Sequence, residues 1–234
     1  MNENILITGG SGGIGSAIIS EISDSRFMNL DLRSRQQLFE NETFYSIDLT
    51  SEEQIHNFNN TTSIETITGY IHCAGFGGPF LTLDEVDESL WKKVFDININ
   101  SAYLILKKLL PIWKKKSYGR FLAIASSQSI VGAKLSVPYS SSKHALVGFV
   151  KSIADEWGEF GITSNAISPG YIQTQMGIQE SEKNGHLEEV LFKTPSKKIG
   201  SPEDIAKVAK LLMSRETTYV NGANWTVDGG ITSI

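Results

Sequence analysis

The chain has 234 residues, 40% of them hydrophobic and 20% charged, and its formal net charge of −5 excludes a basic surface for nucleic acid. Its single cysteine excludes an internal disulfide and a cysteine metal cluster. The most apolar helical stretch, residues 102–113, contains two lysines and a proline, which excludes a membrane span.

Short apolar, β-rich runs alternate along the chain with segments of helical periodicity. The predicted strands cover residues 4–8, 26–30, 43–47, 65–73, 119–125, 161–168 and 224–227. The predicted helices cover residues 14–22, 51–60, 88–113, 138–158 and 202–213. This alternation predicts parallel strands with crossover helices, and the continuous apolar strands predict helices on both sheet faces. We therefore predict an α/β fold, a doubly wound Rossmann fold with a mainly parallel seven-stranded sheet.

The chain carries no linker rich in Pro, Gly or Ser and no internal repeat. We therefore expect residues 1–234 to form a single dinucleotide-binding and catalytic domain. The N-terminus enters a strand at once, which leaves no room for a signal peptide, and we expect a cytoplasmic protein. Only the twelve residues 31–42 separate the second strand from the third, which predicts a helix of barely two turns there, or a loop.

A glycine-rich turn, TGGSGGIG at 8–15, lies between the first predicted strand and the first helix. Gly9, Gly13 and Gly15 permit a tight turn, close approach of a phosphate to the backbone, and close strand–helix contact. The free amides at the helix N-terminus then face the anion. A mononucleotide P-loop would need a lysine directly after the last glycine, and Ser16 stands there instead.

Together with YSSSK at 139–143, the spacing T-G-x-x-x-G-x-G resembles that of the short-chain dehydrogenase/reductase family, in its shorter single-domain branch. The resemblance covers nearly the whole chain. Further segments match in order and spacing: IDL at 47–49, HCAG at 72–75, FDININ at 95–100, IASS at 124–127, NAISPGYIQT at 165–174 and VDGG at 227–230. The resemblance implies a nicotinamide-dependent oxidoreductase that interconverts a secondary alcohol and a ketone.

Tyr139 and Lys143 lie four residues apart at the start of a predicted helix, so both side chains project from one face. A tyrosine hydroxyl has a pKa of about 10, too high for a base at neutral pH, and a nearby lysine cation favours the phenolate. The resemblance implies that Tyr139 is the catalytic acid/base. It also implies that Lys143 tunes the tyrosine and binds the nicotinamide ribose.

Two further catalytic residues follow from the resemblance. Ser126, thirteen residues before Tyr139, matches the serine that donates a hydrogen bond to the substrate oxygen. Asn98 matches the asparagine that holds a water near the lysine and extends a proton relay. The adjacent Ser127 and the nearby Asn100 are the alternatives for these two positions.

The choice of nucleotide depends on the end of the second strand. Asp31 can accept hydrogen bonds from the ribose hydroxyls of NAD and would repel the 2′-phosphate of NADP. Arg33 and Arg35 favour NADP, because an arginine can bind that phosphate. We predict NAD, with NADP as the alternative, and no metal. The resemblance implies these cofactor-binding residues: Gly9, Ser11, Gly13, Ile14, Gly15, Asp31, Asp48, Leu49, Ala74, Gly75, Tyr139, Lys143, Pro169, Gly170, Ile172 and Thr174.

Two positions depart from the family pattern. HCAG stands where N-N-A-G is common, so His72 and Cys73 replace two asparagines, and asparagine there usually ties the central strand to its neighbours. We interpret His72 as a core histidine with local hydrogen-bond partners, not as a base. Cys73 lies in an apolar run and is predicted to be a buried small hydrophobe. Thr174 could also cap the following helix.

The remaining segments predict a substrate pocket and a subunit interface. Residues 175–198 mix polar and apolar side chains and predict a mobile substrate lid. Residues 76–80 and 130–133 are expected to form the other walls. The helix over 139–157 is apolar on more than one stripe, and the resemblance implies a homotetramer or homodimer built on it. We expect a small-molecule alcohol or carbonyl partner, with no nucleic acid and no membrane.

Three other functions remain open from the sequence. An NADPH-dependent 3-oxoacyl-carrier-protein reductase would use the same catalytic groups and a basic docking surface. A nucleotide-sensing regulator without turnover would have lost catalytic residues, and all four candidates are present. A sugar-nucleotide epimerase also uses Y-x-x-x-K, but the glycine spacing argues against it.

Overall fold

The structure, a computed structural model, describes residues 3–61, 64–174 and 186–233. Within these ranges seven strands form one sheet in the order β3-β2-β1-β4-β5-β6-β7. The strands are β1 Asn4–Thr8, β2 Arg26–Asp31, β3 Glu42–Ser46, β4 Gly69–His72, β5 Gly119–Ile124, β6 Ile162–Pro169 and β7 Asn224–Val227. Every neighbouring pair is parallel, so the predicted doubly wound Rossmann fold is confirmed.

The helices lie close to their predicted positions. They are α1 Gly13–Glu21, α2 Glu52–Thr61, α3 Glu88–Phe95, α4 Ser101–Lys116, α5 Val137–Trp157, α6 His186–Lys193 and α7 Pro202–Met213. The helix predicted over 88–113 is interrupted by a π-helical turn at Asp96–Asn100. The fourth strand begins at Gly69 and not at residue 65, because Ile64–Thr66 form a 3-10 turn.

The apolar character of the central strands has a simple cause. Every residue of β4, β5 and β6 is buried, and alternate side chains enter two separate cores. Tyr70 and Phe121 belong to the core on the side of α2, α4 and α5. Ile71 and Leu122 belong to the core on the side of α1 and α7. Helices therefore cover both faces of the sheet, as a parallel sheet requires.

The second crossover is a loop. Residues 32–41, between β2 and β3, contain no helix, which agrees with one of the two predicted alternatives. The half-buried Phe39 packs against the core on the α1 side. One aromatic side chain thus partly covers a surface that a crossover helix usually covers.

The parallel arrangement brings the functional segments to one edge of the sheet. The carboxyl ends of all seven described strands lie there, and so do the loops that follow them. Part of the predicted lid, residues 175–185, lies outside the described residues, and the remainder contains α6. Among the helices that the structure describes, none has the length and apolar character needed to cross a membrane.

Candidate active site

The glycine turn after β1 is closely packed. Gly9 has a φ of +70°, and a Cβ there would lie 2.7 Å from the Cα and N atoms of Ala74, so no other residue fits. A Cβ at Gly15 would lie 2.3 Å from the carbonyl oxygen of Gly9. A Cβ at Gly13 would lie 2.8 Å from Cγ2 of Thr174. The turn therefore brings three predicted segments of the cofactor site together, and its backbone fits close approach of a pyrophosphate.

Polar side chains of β2 and β3 support this turn. The amide of Gly10 donates to Oδ1 of Asn29 (3.0 Å), and that of Ser11 donates to Oδ2 of Asp31 (3.1 Å). Nδ2 of Asn29 donates to Oε1 of Glu42 (2.7 Å) and to Oγ of Ser11 (3.1 Å). Asn29 and Glu42 were not predicted as site residues. The available signal was a polar residue, Asn29, inside an apolar strand.

Arg35, in the loop between β2 and β3, also supports the turn. Its Nη2 atom donates to the carbonyl oxygen of Gly10 and lies 3.2 Å from Oε1 of Glu42. Its guanidinium carbon lies 4.6 Å from the centroid of the Phe39 ring. Burial lowers the pKa of Arg35, and the carboxylates of Glu42 and Asp31 oppose that shift. The buried carboxylate of Glu42 thus holds the arginine beneath the turn, whereas Arg33 is exposed.

Other predicted cofactor residues lie along the same edge. Asp48, after β3, accepts from the amide and hydroxyl of Thr50 (2.9 and 2.8 Å), and the adjacent Leu49 is buried. After β6, a Cβ at Gly170 would lie 2.8 Å from the Cα of Asp228. Ile172 is buried and forms an isolated bridge with Gly200. The residues after Thr174, where the sequence predicted a helix for it to cap, lie outside the described residues.

The Tyr139–Lys143 pair lies in the first turns of α5. Tyr139 is half-buried, and Lys143 is buried beneath it. Nζ of Lys143 lies 5.6 Å from the centroid of the Tyr139 ring and donates to the carbonyl oxygen of Ile124 (2.8 Å), at the end of β5. Burial lowers the pKa of Lys143 to about 8. The lysine is therefore mainly a cation at neutral pH, and it lies next to the phenol.

Ser126 lies two residues beyond the end of β5, where it caps a 3-10 turn formed by Ser127–Ser129. Its Oγ atom accepts from the amide of Gln128 (3.1 Å). Oε1 of Gln128 accepts in turn from the hydroxyl of Ser140 (2.7 Å), the residue after Tyr139. Gln128 therefore ties the Ser126 loop to the first turn of α5. The sequence contains no pattern that would have identified Gln128.

Asn98 is fully buried in the π-helical turn between α3 and α4. Its side chain accepts from the amide of Phe76 (2.8 Å) and donates to the carbonyl oxygen of Phe76 (3.1 Å) and to Oγ of Ser142 (2.9 Å). Ser142 donates to the carbonyl oxygen of Tyr139 (2.7 Å). Asn100, the alternative, is exposed and donates to Asp96.

Gly75 marks the point where these groups converge. A Cβ at Gly75 would lie 3.4 Å from Nζ of Lys143 and 3.9 Å from Oδ1 of Asn98. The structure therefore brings Asn98, Lys143 and the segment after β4 to one place at the carboxyl edge of the sheet. Gly75 and its neighbour Ala74 also connect this place to the glycine turn, since Ala74 contacts Gly9.

His72, the last residue of β4, has a partner at each ring nitrogen. Its Nδ1 atom lies 3.0 Å from the hydroxyl oxygens of both Thr8 and Tyr70, and its Nε2 atom lies 3.1 Å from the main-chain oxygen of Asn98. Burial and the Lys143 cation lower the pKa of His72 to about 3, so the ring is neutral. The interpretation of His72 as a core histidine with local partners agrees with this geometry, and the contact with Asn98 was not predicted.

This arrangement can bind a dinucleotide and move a proton at a substrate oxygen. It combines a glycine turn at a helix N-terminus, a strand-end carboxylate, a phenol above a buried cation, and a serine hydroxyl just after the end of β5. Within residues 3–61, 64–174 and 186–233, no group of three His, Cys, Asp or Glu side chains is placed to hold a metal ion.

Comparisons with known proteins agree with this geometry. The profile of a family described as enoyl-(acyl carrier protein) reductase matches residues 17–232. The 2-dehydro-3-deoxy-D-gluconate 5-dehydrogenase of Bacillus subtilis (strain 168) is 32% identical over 97% of this chain and 94% of that protein. The chain belongs to the short-chain dehydrogenase/reductase family. The 3-oxoacyl-[acyl-carrier-protein] reductase of Rickettsia typhi (strain ATCC VR-144 / Wilmington) is likewise 32% identical, over 97% of this chain and 95% of that protein.

Two solved structures with a bound nicotinamide nucleotide superpose closely on this one. A 4-hydroxyisoleucine dehydrogenase complexed with NADH superposes with a TM-score of 0.92 at 26% identity, and each chain is covered in full. ElxO with NADP bound superposes with a TM-score of 0.91 at 28% identity, also over both whole chains. The predicted family, the fold and a nicotinamide-dependent oxidoreductase activity on CH–OH groups are therefore confirmed.

Proposed function

We propose that this short-chain dehydrogenase/reductase interconverts a secondary alcohol and a ketone with NAD, and that Tyr139 is its acid/base. The observation that carries the proposal is the burial of the Lys143 cation 5.6 Å from the centroid of the Tyr139 ring, beside Gly75 and Asn98. The bound nicotinamide supplies or accepts the hydride. We further propose that residues 1–234 act as a single domain with a lid over about 175–198.

The proposed proton transfer takes place at the hydroxyl of Tyr139. The cation of Lys143 favours the phenolate, which can take a proton from an alcohol, and the phenol returns it to a ketone oxygen. One N–H of Lys143 donates to the carbonyl oxygen of Ile124, so two N–H groups can donate to the ribose hydroxyls of the nucleotide.

The proposed role of Ser126 follows from the direction of its hydrogen bonds. Its Oγ atom accepts from the amide of Gln128, so its own proton remains for the substrate oxygen. A fixed donor of this kind stabilises negative charge as it develops on that oxygen. Gln128 also bonds the first turn of α5 through Ser140, which keeps the serine loop and the Tyr139 helix in one relative position.

The proposed preference for NAD rests on two contacts at the end of the sheet formed by β1, β2 and β3. Oδ2 of Asp31 accepts a hydrogen bond from the amide of Ser11. This contact would hold the carboxylate at the adenosine end of the proposed site, where it would repel a 2′-phosphate. The positive charge of Arg35 is neutralised by Glu42. Turnover with NAD and NADP, compared as kcat/KM, is the direct measurement, and a preference for NADP would contradict the proposal.

The proposed substrate is a small hydroxy or oxo compound. The amide of Leu81 donates to the carbonyl oxygen of Leu135 (3.1 Å), so the chain just after the wall predicted at 76–80 contacts the chain just after the wall predicted at 130–133. Among the relatives, one is named for a sugar-acid substrate and one for a carrier-protein thioester. A panel of hydroxy acids, sugar acids, cyclic alcohols and an acetoacetyl thioester, followed by NADH and NADPH absorbance, distinguishes these classes.

Replacing the proposed acid/base tests the mechanism. We expect Tyr139→Phe to lower kcat by about a thousandfold, the scale of general acid–base catalysis, and to leave the Kd for the nucleotide within about threefold. The control is Tyr219→Phe, because Tyr219 is fully exposed, and it should behave like the wild type. Turnover that survives in Tyr139→Phe would refute the proposed mechanism.

We also propose a homotetramer and a cytoplasmic location. Trp91 on α3 and Tyr103 on α4 are 38% and 45% exposed, and apolar side chains of this kind are common at subunit contacts. Light scattering at micromolar concentration gives the subunit number, and a monomer would contradict this proposal. The location is supported by the single cysteine, which cannot form an internal disulfide.

A further inference from the structure

We propose that His72 is a positioning residue for the catalytic centre, because its Nε2–H group fixes the main-chain carbonyl of Asn98. This inference rests on the proposed function, which gives Asn98 and Lys143 their roles. It concerns a position at which this chain departs from the common N-N-A-G pattern. The contact joins the last residue of β4 to the middle of the π-helical turn, at 3.1 Å.

The partners of the imidazole allow only one placement of its proton. The carbonyl oxygen of Asn98 can only accept, so the neutral ring carries its proton on Nε2. Nδ1 is then an acceptor, and the hydroxyl groups of Thr8 and Tyr70, each 3.0 Å away, are the available donors. Because burial keeps the pKa of His72 near 3, this tautomer persists throughout the working pH range. The ring is therefore a rigid neutral donor aimed at one carbonyl.

The segment that His72 holds is an irregular one. π-Helical turns are rare and are found mostly at functional sites, since they distort the regular hydrogen bonding of a helix. Asn98 lies in the middle of such a turn, and its side chain is already bonded to Phe76 and Ser142. His72 adds a contact to the main chain of Asn98 from the central strand of the sheet. Asn98 is thus held at both its side chain and its backbone.

The position of Asn98 matters because it shares one small space with Lys143. Both Oδ1 of Asn98 and Nζ of Lys143 lie within 4 Å of the place where a Cβ of Gly75 would stand. A displacement of about 1 Å in catalytic groups can cost about a hundredfold in rate. If the backbone at Asn98 shifts, proton movement through the lysine should slow, whereas the glycine turn on the other side of Ala74 should still bind the nucleotide.

The test compares three substitutions at His72 in the full chain. His72→Leu removes all three polar contacts of the ring. His72→Gln keeps an N–H group at the same number of bonds from the backbone as Nε2. His72→Asn carries its N–H group one bond shorter. We expect His72→Leu to lower kcat at least about tenfold, because the carbonyl oxygen of Asn98 loses its donor and Asn98 can shift, with the nucleotide KM within about twofold. We also expect a larger D₂O effect on kcat, because proton transfer becomes rate-limiting.

The conservative variants give the sharper readout. His72→Gln should restore kcat to within about threefold of the wild type and bring the D₂O effect back to the wild-type value, since the donor to Asn98 is present again. His72→Asn should resemble His72→Leu. If His72→Leu does not fold, the comparison of His72→Gln with His72→Asn decides: equal kcat and equal D₂O effects in these two variants would overturn the proposal.

The matched control is Ile71→Val. Ile71 is the neighbouring residue of β4, is fully buried, and faces the opposite core. This change should lower the free energy of unfolding by about 1 kcal/mol and leave kcat and the D₂O effect unchanged. A His72→Leu protein that is only less stable, with the wild-type kcat and D₂O effect, would overturn the proposal.

The failure of this proposal can be told apart from the failure of the proposed function. Tyr139→Phe is measured in the same assay. If Tyr139→Phe remains active, the proposed function fails and the role of His72 fails with it. If Tyr139→Phe is inactive while a folded His72→Leu keeps the wild-type kcat and D₂O effect, only the role of His72 is refuted.

Discussion

The two halves of the sheet support their functional loops in different ways. In the half formed by β1, β2 and β3, no helix connects the last two strands, and the glycine turn is held by Asn29, Glu42 and Arg35. In the half formed by β4, β5 and β6, the crossover helices α4 and α5 are present. In this second half, the hydrogen bonds around Asn98 join uncharged groups, namely the His72 ring, the amide of Phe76 and the hydroxyl of Ser142.

The buried charges of the two halves also differ in their partners. Glu42 and Arg35 neutralise each other at 3.2 Å, so this pair can support the turn at a small net cost. The cation of Lys143 donates to a carbonyl oxygen, and burial lowers its pKa to about 8. Of these buried charges, the oppositely charged pair supports the glycine turn, whereas the cation without a carboxylate partner among the described residues lies at the proposed catalytic centre.

Breaking the ion pair should have the largest effect on stability. In Glu42→Ala, Arg35 loses its counterion and Asn29 loses an acceptor, so we expect the free energy of unfolding in urea to fall by about 3 kcal/mol. The control is Glu40→Ala, an exposed position in the same loop. Adding Arg35→Met to Glu42→Ala should recover part of the loss. A change below about 1 kcal/mol would show that the pair does not support the turn.

Removing the proposed catalytic cation should change the free energy of unfolding in the opposite direction. The pKa of Lys143 is about 8 in the folded protein and 10.5 in its unperturbed state, so the unfolded chain binds more protons between these two pH values. The stability of the wild type should therefore rise from pH 8 to about 10.5, relative to that of Lys143→Met. At pH 7, we expect Lys143→Met to be inactive and about 2 kcal/mol more stable.

Urea unfolding of both proteins at several pH values, without nucleotide, measures this difference. Lys151→Met is the control, because Lys151 is an exposed lysine on the same helix. It should leave both the stability and its pH dependence unchanged. If Lys143→Met is less stable than the wild type at pH 7, the hydrogen bond to Ile124 outweighs the cost of the buried charge, and the contrast between the two halves disappears.

Most of the fold was predictable because its signals are local. Strand and helix periodicity placed the seven strands to within a few residues, and the glycine spacing placed the turn at Gly9. The same locality explains the misplaced boundaries. The sequence around the π-helical turn at Asp96–Asn100 has an unbroken helical pattern, so the interruption was not predicted. The turn depends instead on contacts that Asn98 makes with the distant segment after β4.

The support of the site could not be predicted in the same way. Asn29 and Glu42 are 13 residues apart, and His72 and Asn98 are 26 apart, so neither pair forms a motif within one element. Each contact arises only when the strands are ordered in the sheet. The catalytic candidates are different, since Tyr139 and Lys143 share one helix turn and Ser126 follows a strand end. A sequence pattern therefore identifies functional side chains that lie on one helix or at one strand end. It does not identify the supporting side chains that contact them from a different strand.

The smallest expected effect concerns the nucleotide. Asp31→Asn keeps an oxygen for the amide of Ser11 but removes the charge that would repel a 2′-phosphate. We expect kcat/KM to fall about tenfold for NAD and to rise about tenfold for NADP, with stability unchanged. Asp24→Asn, an exposed position before β2, is the control. The change should be larger when it is combined with Glu42→Gln, because Arg35 then has no buried carboxylate to neutralise it. If the ratio stays unchanged in both variants, the charges of the first half support the turn and do not select the nucleotide.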